Sequence, residues 1–410
     1  MPLINPFRGL RPLPERAADV AAPPYDVLNT EEARARAAGK PWSFLHISKP
    51  EIDLPAGTDP YSAQVYAKGS ENLAHMIREG VLQRDSHACY YAYRLVMGNH
   101  AQTGIVAAAS VAAYDEGRIR RHEFTRPDKE DDRVRQIEAL NAQTGPVLLA
   151  HPACPVVDRI LEKAATTTPA ADLTADTGVR HTLWVIDDAD DVTRIGAAIE
   201  ALPALYIADG HHRSAAASRV SASRHTTAAD GGGADYFLAV SFPAAQMQIL
   251  CYNRVVRDLA GMQRDEFLRR VADAFSLELA KGPVQPTVHG EIGMYLPGQW
   301  SRLRVKTEKI PADPVGRLDV SLLSDQLLAP ILGIQDLRTD KRIDFVGGIR
   351  GTQELEKRVD SGEMAVAFSM HATSMDDLMA VTDAKQVMPP KSTWFEPKLA
   401  DGLVSHVLDS

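Results

Sequence analysis

The stretch Leu205-Tyr-Ile-Ala-Asp-Gly-His-His-Arg-Ser-Ala-Ala-Ala-Ser218 contains the clearest structural pattern in this chain. Its first four residues form a short apolar run with the length of a buried strand. Asp209 and Gly210 interrupt that pattern. The small residues that follow Arg213 are compatible with a helix that packs closely against a sheet. The stretch therefore predicts a strand, a tight turn and a helix.

This arrangement places Asp209 at the carboxyl end of a strand, where open α/β sheets bind ligands. Gly210 permits a sharp turn and the close approach of a ligand. His211, His212 and Arg213 then lie at a helix N-terminus, where unpaired amides and the helix dipole favour an anion. A guanidinium can bind a phosphate through two hydrogen bonds. We expect a phosphate-binding element here, with Asp209 and His212 as catalytic candidates.

Two simpler interpretations of the same motif remain open. In the first, Asp209 and Gly210 form only a turn and the histidines are solvated. In the second, Asp209, His211 and His212 bind a metal ion. Adjacent histidines on a helix point about 100° apart, which argues against both binding one ion. We therefore expect no metal site built entirely from protein ligands.

Composition excludes several classes of protein. The chain has 410 residues, 45% of them hydrophobic and 24% charged, and a net charge of −9. This balance fits a soluble protein of two or three domains and argues against a broad nucleic-acid-binding surface. The three cysteines are far apart, which indicates neither a disulfide framework nor a zinc site. With no signal peptide or apolar span evident, we expect a cytoplasmic protein without a membrane partner.

The N-terminal region is rich in proline. The segment Ala21-Ala-Pro-Pro-Tyr-Asp-Val27 predicts a rigid extended loop that ends in two polar side chains, those of Tyr25 and Asp26. We consider both as substrate-binding candidates, although a loop that only covers the core is an equal alternative. Further along, the apolar run from Phe44 to Ser48 predicts a strand.

A second dense stretch runs from Ile119 to Arg133. His122, Glu123 and Thr125 follow a predicted strand, and Arg126 adds positive charge before a helix that begins near Lys129. A carboxylate beside cations suits phosphoryl transfer. The carboxylate can act as the base for a hydroxyl group, and the cations can bind the phosphate. Glu123 is thus a candidate base, His122 and Thr125 are candidate substrate ligands and Arg126 is a candidate phosphate ligand. The alternative is a solvated charged loop.

The C-terminal stretch Met388-Pro-Pro-Lys-Ser-Thr-Trp-Phe-Glu-Pro-Lys398 offers donors on a proline-stiffened segment. Lys391 and Ser392 are candidate phosphate ligands. A clasp over the core is the alternative.

The order of elements predicts an α/β (α+β) protein with a mixed sheet. We expect an N-terminal α+β region over residues 1–150, an α/β core over residues 151–260 that carries Asp209 to Arg213, and a C-terminal α+β region over residues 261–410 that packs on the core.

Four stretches together resemble the family known as domain of unknown function 1015. They occur in the order of that family and spread over nearly the whole chain: Pro23–Val27, Ile119–Thr125, Asp209–Arg213 and Met388–Lys398.

The Asp-Gly-His-His-Arg element also resembles the nucleotide-binding motif of ParB and sulfiredoxin-like proteins, including the free L-serine kinases. The resemblance implies a ParB/sulfiredoxin-like core in which Asp209 to Arg213 hold nucleotide phosphates. It also implies a separate glutamate that activates the serine hydroxyl, for which Glu123 is the candidate. The cysteine of sulfiredoxin has no counterpart in this motif.

These inferences favour a phosphotransferase that uses ATP or ADP with Mg²⁺, bound through Glu123 or Asp209, and acts on a small hydroxylated metabolite such as free L-serine. A phosphatase would use the same groups. A ParB-like nucleotide-binding switch is the alternative from another class, although the chain shows no DNA-reading module or basic surface. The sequence leaves the nucleotide, the acceptor, the direction of transfer and the oligomeric state open.

Overall fold

The computed structural model describes residues 1–225 and 232–408, and it shows a mixed α/β fold. The chain forms two compact units. The first contains residues 1–247 together with the segment that starts at Pro397, and the second contains residues Gln248–Glu396. The first unit is therefore discontinuous in sequence.

The strands in the described residues are as follows. They are β1 (Ile4–Asn5), β2 (Gly9–Pro12), β3 (Leu82–Arg84), β4 (Tyr90–Met97), β5 (His100–Ser110), β6 (Ile119–Arg120), β7 (Ala142–Gln143), β8 (Val147–His151), β9 (Ala171–Thr174), β10 (Arg180–Ile186), β11 (Leu205–Asp209), β12 (Tyr236–Pro243), β13 (Gln248–Leu250), β14 (Tyr252–Val256), β15 (Phe275–Ala280), β16 (Glu291–Leu296), β17 (Gln299–Val305), β18 (Ile343–Gly347), β19 (Val366–Met370), β20 (Trp394–Glu396) and β21 (Ser405–Val407).

The α-helices in the same residues are as follows. They are α1 (Ala17–Val20), α2 (Thr30–Ala37), α3 (Leu45–Ser48), α4 (Ala63–Arg78), α5 (Val111–Asp115), α6 (Pro127–Leu140), α7 (Pro155–Ala164), α8 (Ala189–Glu200), α9 (His211–His225), α10 (Arg264–Ala274), α11 (Asp319–Leu323), α12 (Gly351–Asp360) and α13 (Met375–Asp383).

A mixed sheet is the framework of the first unit. Its strand order is β6-β11-β8-β12-β5-β4-β10-β9, with β1 paired to β5. The apolar residues of β11 explain its central position, because Leu205 and Ile207 are completely buried beside Leu149 of β8 and Ile199 of α8. Burying one such side chain contributes about 1.5–3 kcal/mol. The predicted strand, turn and helix over residues 205–218 are confirmed.

A second, smaller sheet in the first unit joins the two ends of the chain. Its order is β3-β2-β21-β7. Because β21 pairs with both β2 and β7, the C-terminal segment returns to the first unit and is held there by backbone hydrogen bonds.

The second unit has its own sheet and core. The sheet order is β15-β17-β16-β19-β14-β18, and β13 pairs separately with β20. Val255, Tyr295, Trp300 and Leu355 are among the side chains buried between this sheet and α12.

Two expectations differ from this architecture. The run Phe44–Ser48 was expected to be a strand, but residues Leu45–Ser48 form helix α3. A short apolar run has no periodicity that separates a buried strand from a buried turn of helix. The boundaries proposed at residues 150 and 260 also do not coincide with the two units, because strands from before and after residue 150 pair in one sheet. No helix in the described part of the chain has the length and apolar character needed to cross a membrane.

Candidate functional site

The parallel pairing of β6 with β11 brings two of the sequence motifs together. Leu205 lies opposite Ile119 and Tyr206 lies opposite Arg120. Both strands therefore end at the same edge of the sheet. The residues that follow them, His122 and Glu123 after β6 and the Asp209–Arg213 motif at the end of β11, consequently lie side by side.

The other neighbour of β11 runs in the opposite direction. Asp209 is paired with Leu148 of β8. Because the strands are antiparallel, the beginning of β8 lies beside the end of β11. The preceding residues Gly145 and Pro146 thus form a wall of the site.

Gly210 makes the sharp turn between β11 and α9 possible. Its φ angle is +100°, in the region that residues with a side chain rarely adopt. A Cβ atom at this position would also lie 3.3 Å from Val147 Cα and 3.3 Å from Arg213 Cζ. Helix α9 begins at the next residue, so its first amides lack intrahelical acceptors.

Asp209 lies between two cations. Its Oδ2 atom accepts a hydrogen bond from Lys398 Nζ at 3.1 Å, and its Oδ1 atom lies 3.7 Å from Arg213 Nη2. Burial alone would raise the pKa of Asp209, but the charges of Lys398 and Arg213 outweigh it and hold that pKa well below its usual value. Asp209 is therefore ionised at neutral pH.

Arg213 connects three segments of the first unit. Its side chain is 10% exposed. It donates one hydrogen bond to the carbonyl of Pro146 and another to Asp26 Oδ2 at 3.3 Å. Although burial opposes the charged form, Asp26 and Asp209 raise the pKa of the guanidinium. The proline-rich loop that carries Asp26 is thus part of the site.

His122 and His211 form a buried pair behind the strand ends. Their rings are perpendicular, with centroids 4.5 Å apart. His122 Nδ1 donates to the carbonyl of Ile207 at 2.9 Å, and the amide of His122 lies 3.4 Å from His211 Nε2. Burial lowers the pKa of His122 to about 4 and that of His211 well below its ordinary value. Both imidazoles are therefore neutral at physiological pH.

Glu123 lies at the exposed side of this pair. One of its carboxylate oxygens is 4.0 Å from His211 Nδ1, and the side chain is 47% exposed. One potential ligand atom from each of His122, Glu123 and His211 lies within 4.8 Å of the others. Mg²⁺ prefers oxygen ligands and two imidazoles favour a transition metal, so for Mg²⁺ this group offers only the carboxylate.

His212 is fixed by the loop before α6. Its Nε2 atom accepts a hydrogen bond from the amide of Arg126 at 3.1 Å. Burial lowers the pKa of His212. A neutral ring that accepts at Nε2 carries its proton at Nδ1, which can serve as a donor.

The two other candidates in this loop interact with nearby carboxylates. The Arg126 guanidinium is paired with Asp128 through bonds of 3.2 and 2.9 Å, and the Thr125 hydroxyl donates to Glu130. The segment that carries Thr125 and Arg126 thus lies at the site, but both side chains bind carboxylates in the first turn of α6.

A cavity of about 460 Å³, including its open mouth, adjoins Arg213 in the first unit. It is lined by Tyr25, Ser48, Arg133, Gln136, Ile137, Ala142, Gln143, Thr144, Gly145, Val147, Arg213 and Asp401. The Arg133 guanidinium lies 3.8 Å from the centre of the Tyr25 ring. Tyr25 therefore lies in the wall of this cavity.

Asp401 is held in the cavity wall by the returning C-terminal segment. Its backbone exchanges hydrogen bonds of 2.9 and 3.1 Å with Ala22. The following residue, Gly402, has a φ angle of +89°, and a Cβ atom there would lie 2.7 Å from the ring of Phe44. Burial raises the pKa of Asp401 to about 7, against the opposing effect of Arg213.

Lys391 and Ser392 belong to the second unit. Lys391 Nζ lies 5.5 Å from the ring centre of Tyr252, and the Ser392 hydroxyl donates to the carbonyl of Pro389 at 2.6 Å. Their assignment to phosphate binding stays a prediction. From the same C-terminal stretch, Lys398 is the residue that binds Asp209.

Sequence reasoning did not identify Lys398 or Asp401 as site residues. Lys398 is the last residue of a recognised stretch, and its charge was the only available signal. Asp401 has no recognisable motif around it in the sequence, and only the pairing of distant segments brings it to Arg213.

The chain matches a family model described as "Protein of unknown function (DUF1015)" over residues 4–321. It belongs to this family. No curated protein matches the chain.

Solved structures show a distant likeness. SbnI with a C-terminal truncation, from Staphylococcus aureus, is 11% identical, with a TM-score of 0.39 over 72% of this chain and 85% of that one. A structure of free serine kinase in complex with AMP is 12% identical, with a TM-score of 0.34 over 73% of this chain and 92% of that one. A mutant of free serine kinase in complex with ADP is 11% identical, with a TM-score of 0.34 and the same coverage.

Proposed function

We propose that this protein is a nucleotide-dependent phosphotransferase that acts on a small hydroxylated metabolite, with free L-serine as the first acceptor to test. The observation that carries the proposal is the group of Arg213, Lys398 and Asp209 at the N-terminus of α9, with Glu123 beside His211. This group supplies cations for a phosphate and a carboxylate for a hydroxyl, which are the two requirements of phosphoryl transfer.

Phosphate binding is assigned to Arg213, Lys398 and the first amides of α9. In the structure Asp209 contacts both cations, and its charge helps to raise the pKa of Arg213. Phosphate oxygens next to these residues would accept charge-assisted hydrogen bonds, which are stronger than bonds between neutral groups. The helix dipole favours the same charge at this position.

His212 adds a neutral donor to the same place. Because Nε2 is occupied by the amide of Arg126, the proton resides on Nδ1. Such a donor stabilises charge that develops on a transferring phosphoryl group without itself changing protonation state.

Glu123 is assigned as the base that accepts the proton of the acceptor hydroxyl. Its side chain is nearly half exposed, so an acceptor can reach it, and His211 lies 4.0 Å away. The neutral His211 can orient the carboxylate without protonating it, because its pKa is well below neutrality.

Glu123 is also the better of the two expected Mg²⁺ ligands. Both oxygens of Asp209 face cations, and an added divalent ion there would be repelled. When bound, Mg²⁺ would neutralise negative charge on the nucleotide phosphates.

The substitution Glu123→Gln tests the assignment. Glutamine keeps the size of the side chain and loses its basicity, so turnover of nucleotide with L-serine should fall by roughly 10²–10⁴-fold. Nucleotide and L-serine should still bind, as measured by titration calorimetry. Glu116 is exposed and precedes β6 in the sequence, whereas Glu123 follows it. The substitution Glu116→Gln is therefore the matched control and should retain full turnover.

Three results would redirect the assignment. Full activity in Glu123→Gln would contradict the base role of Glu123. Weaker binding of the magnesium–nucleotide complex, recovered by added magnesium, would make Glu123 a metal ligand. Hydrolysis of phosphoserine without any transfer from a nucleotide would replace the transferase with a phosphatase.

A further inference from the structure

The cavity next to Arg213 offers a combination of charged and neutral groups that the phosphate-binding assignment does not use. The guanidinium groups of Arg133 and Arg213 line it together with the carboxyl group of Asp401. Thr144 and Ser48 add hydroxyl groups.

The hydroxyl group of Ser48 in the cavity wall could form a hydrogen bond with a ligand. Its side chain is 5% exposed, and among the described residues its hydroxyl has no hydrogen-bond partner. A buried hydroxyl without a partner costs about 1–3 kcal/mol, so a polar ligand that reaches it would gain a favourable contact.

Arg133 has a donor directed away from its structural partner. Its Nε and Nη2 atoms both bind Asp132 Oδ2, at 3.0 and 2.6 Å. Asp132 in turn accepts a hydrogen bond from Tyr66 at 2.8 Å, which fixes the pair. Within the described part of the chain, no hydrogen bond is formed by Nη1 of Arg133, so it can serve a ligand.

We propose that this cavity binds the ammonium and carboxylate groups of an α-amino acid, with Arg133 holding the carboxylate and Asp401 holding the ammonium group. The proposal rests on the proposed function and gives the class of its acceptor. Arg213 belongs to both places, since it lines the cavity and also pairs with Asp209. An amino acid bound here therefore lies next to the residues assigned to the phosphate.

The charges of the cavity distinguish a zwitterion from simpler ligands. A ligand with only a carboxylate would lie against Asp401, and a ligand with only an amine would meet two guanidinium groups. Above pH 7, where Asp401 is ionised, each mismatch places like charges together in a partly buried site, where their repulsion is only weakly screened. A zwitterion satisfies both ends of the cavity.

A matched set of ligands tests the proposal on the full chain without any substitution. L-Serine, ethanolamine and 3-hydroxypropanoate share a hydroxymethyl group, and the last two each lack one charged group of serine. Calorimetry should detect L-serine binding at least about tenfold tighter than either analogue, and L-alanine should also bind. Equal affinity for all three hydroxylated ligands would overturn the proposal.

Substitutions then locate the site. Arg133→Met and Asp401→Asn should each weaken L-serine binding at least about tenfold, because each removes a hydrogen bond to a charged group. Arg135→Met on the same helix and Asp131→Asn, whose side chain is 49% exposed, are the matched controls, and their affinity for L-serine should be unchanged. If Arg133→Met does not fold, Ser48→Ala should still weaken L-serine binding, by a smaller factor.

Titration of the same proteins with ATP and ADP separates this proposal from the proposed function. If nucleotide binds and is turned over with another acceptor while no amino acid binds, the amino-acid site is wrong and the phosphotransferase stands. If L-serine binds as described and no nucleotide binds or turns over, the amino-acid site stands and the phosphotransferase is wrong. Unchanged L-serine affinity in both Arg133→Met and Asp401→Asn would overturn the site.

Discussion

Replacing Lys398 with methionine will weaken nucleotide binding while leaving the fold nearly intact. Lys398 Nζ lies 3.1 Å from Asp209 Oδ2, and the two side chains are 25% and 33% exposed. Ion pairs with this much solvent access contribute about 0–1 kcal/mol to stability. We therefore expect a loss of less than about 1 kcal/mol in the free energy of unfolding, measured by denaturant titration.

The loss of phosphate affinity should be much larger. A hydrogen bond to a charged group contributes about 1.5–3 kcal/mol, which corresponds to a factor of about 10–150 in Kd. Calorimetry with ATP and ADP measures that factor directly. Removing the cation should also raise the pKa of Asp209, since Lys398 is the charge that lowers it most.

The nucleotide affinity of Lys398→Met is to be compared with that of two other substitutions, Lys391→Met and Lys281→Met. Lys391 is the lysine that the sequence pattern singled out, and Lys281 is exposed in the second unit. If Lys398 is the phosphate ligand, Lys398→Met weakens binding and Lys281→Met does not. Unchanged nucleotide affinity in folded Lys398→Met, together with weakened affinity in Lys391→Met, would refute the argument from the structure in favour of the sequence pattern.

Three further changes have defined outcomes. Arg213→Ala should weaken nucleotide binding by about 1.5–3 kcal/mol in calorimetry, because a charge-assisted bond is lost. Gly210→Ala should lower the free energy of unfolding by about 1–3 kcal/mol through backbone strain. The loss should exceed that of Gly117→Ala, because Gly117 also has a positive φ of +78° but its Cβ would meet open space, whereas a Cβ at Gly210 would lie 3.3 Å from Val147 Cα. Asp401 faces Arg213, Asp26 and Arg133, and burial keeps it protonated in the folded state up to a pKa of about 7. The free energy of unfolding should therefore fall as pH rises from the unfolded pKa of Asp401 towards 7, by about 2 kcal/mol between pH 5.5 and 8.5. Denaturant titrations across this pH range should show the fall in the unsubstituted protein and its absence in Asp401→Asn.

The local elements around the motif could be predicted because each has its own signal. An apolar run followed by Asp209 and Gly210 specifies a strand end and a turn, and the structure has both. Helix α6 was expected from about Lys129 and begins at Pro127. The prediction of a strand over Phe44–Ser48 was wrong because four apolar or small residues fit a buried strand as well as a single helical turn.

The composition of the site could be predicted only where the residues are close in sequence or follow a recognised strand. Glu123 was a candidate because it follows a predicted strand, and the parallel pairing of β6 with β11 explains why it lies beside the Asp209–Arg213 motif. Lys398 and Asp401 depend on which side chains of the C-terminal segment turn towards the first unit, and no pattern in the sequence encodes that choice. The division into units was missed because the first unit is interrupted by about 150 residues that form the second.

The interruption of the first unit affects the order in which the site is assembled during synthesis. The ribosome completes the Asp209–Arg213 motif and Glu123 early, then makes the entire second unit before Lys398 and Asp401 appear. A nascent chain that stops short of residue 398 thus has Arg213 and Asp209 but neither the second cation nor the carboxyl group of the cavity. The match to the family model covers residues 4–321, so Lys398 and Asp401 both lie outside the matched range.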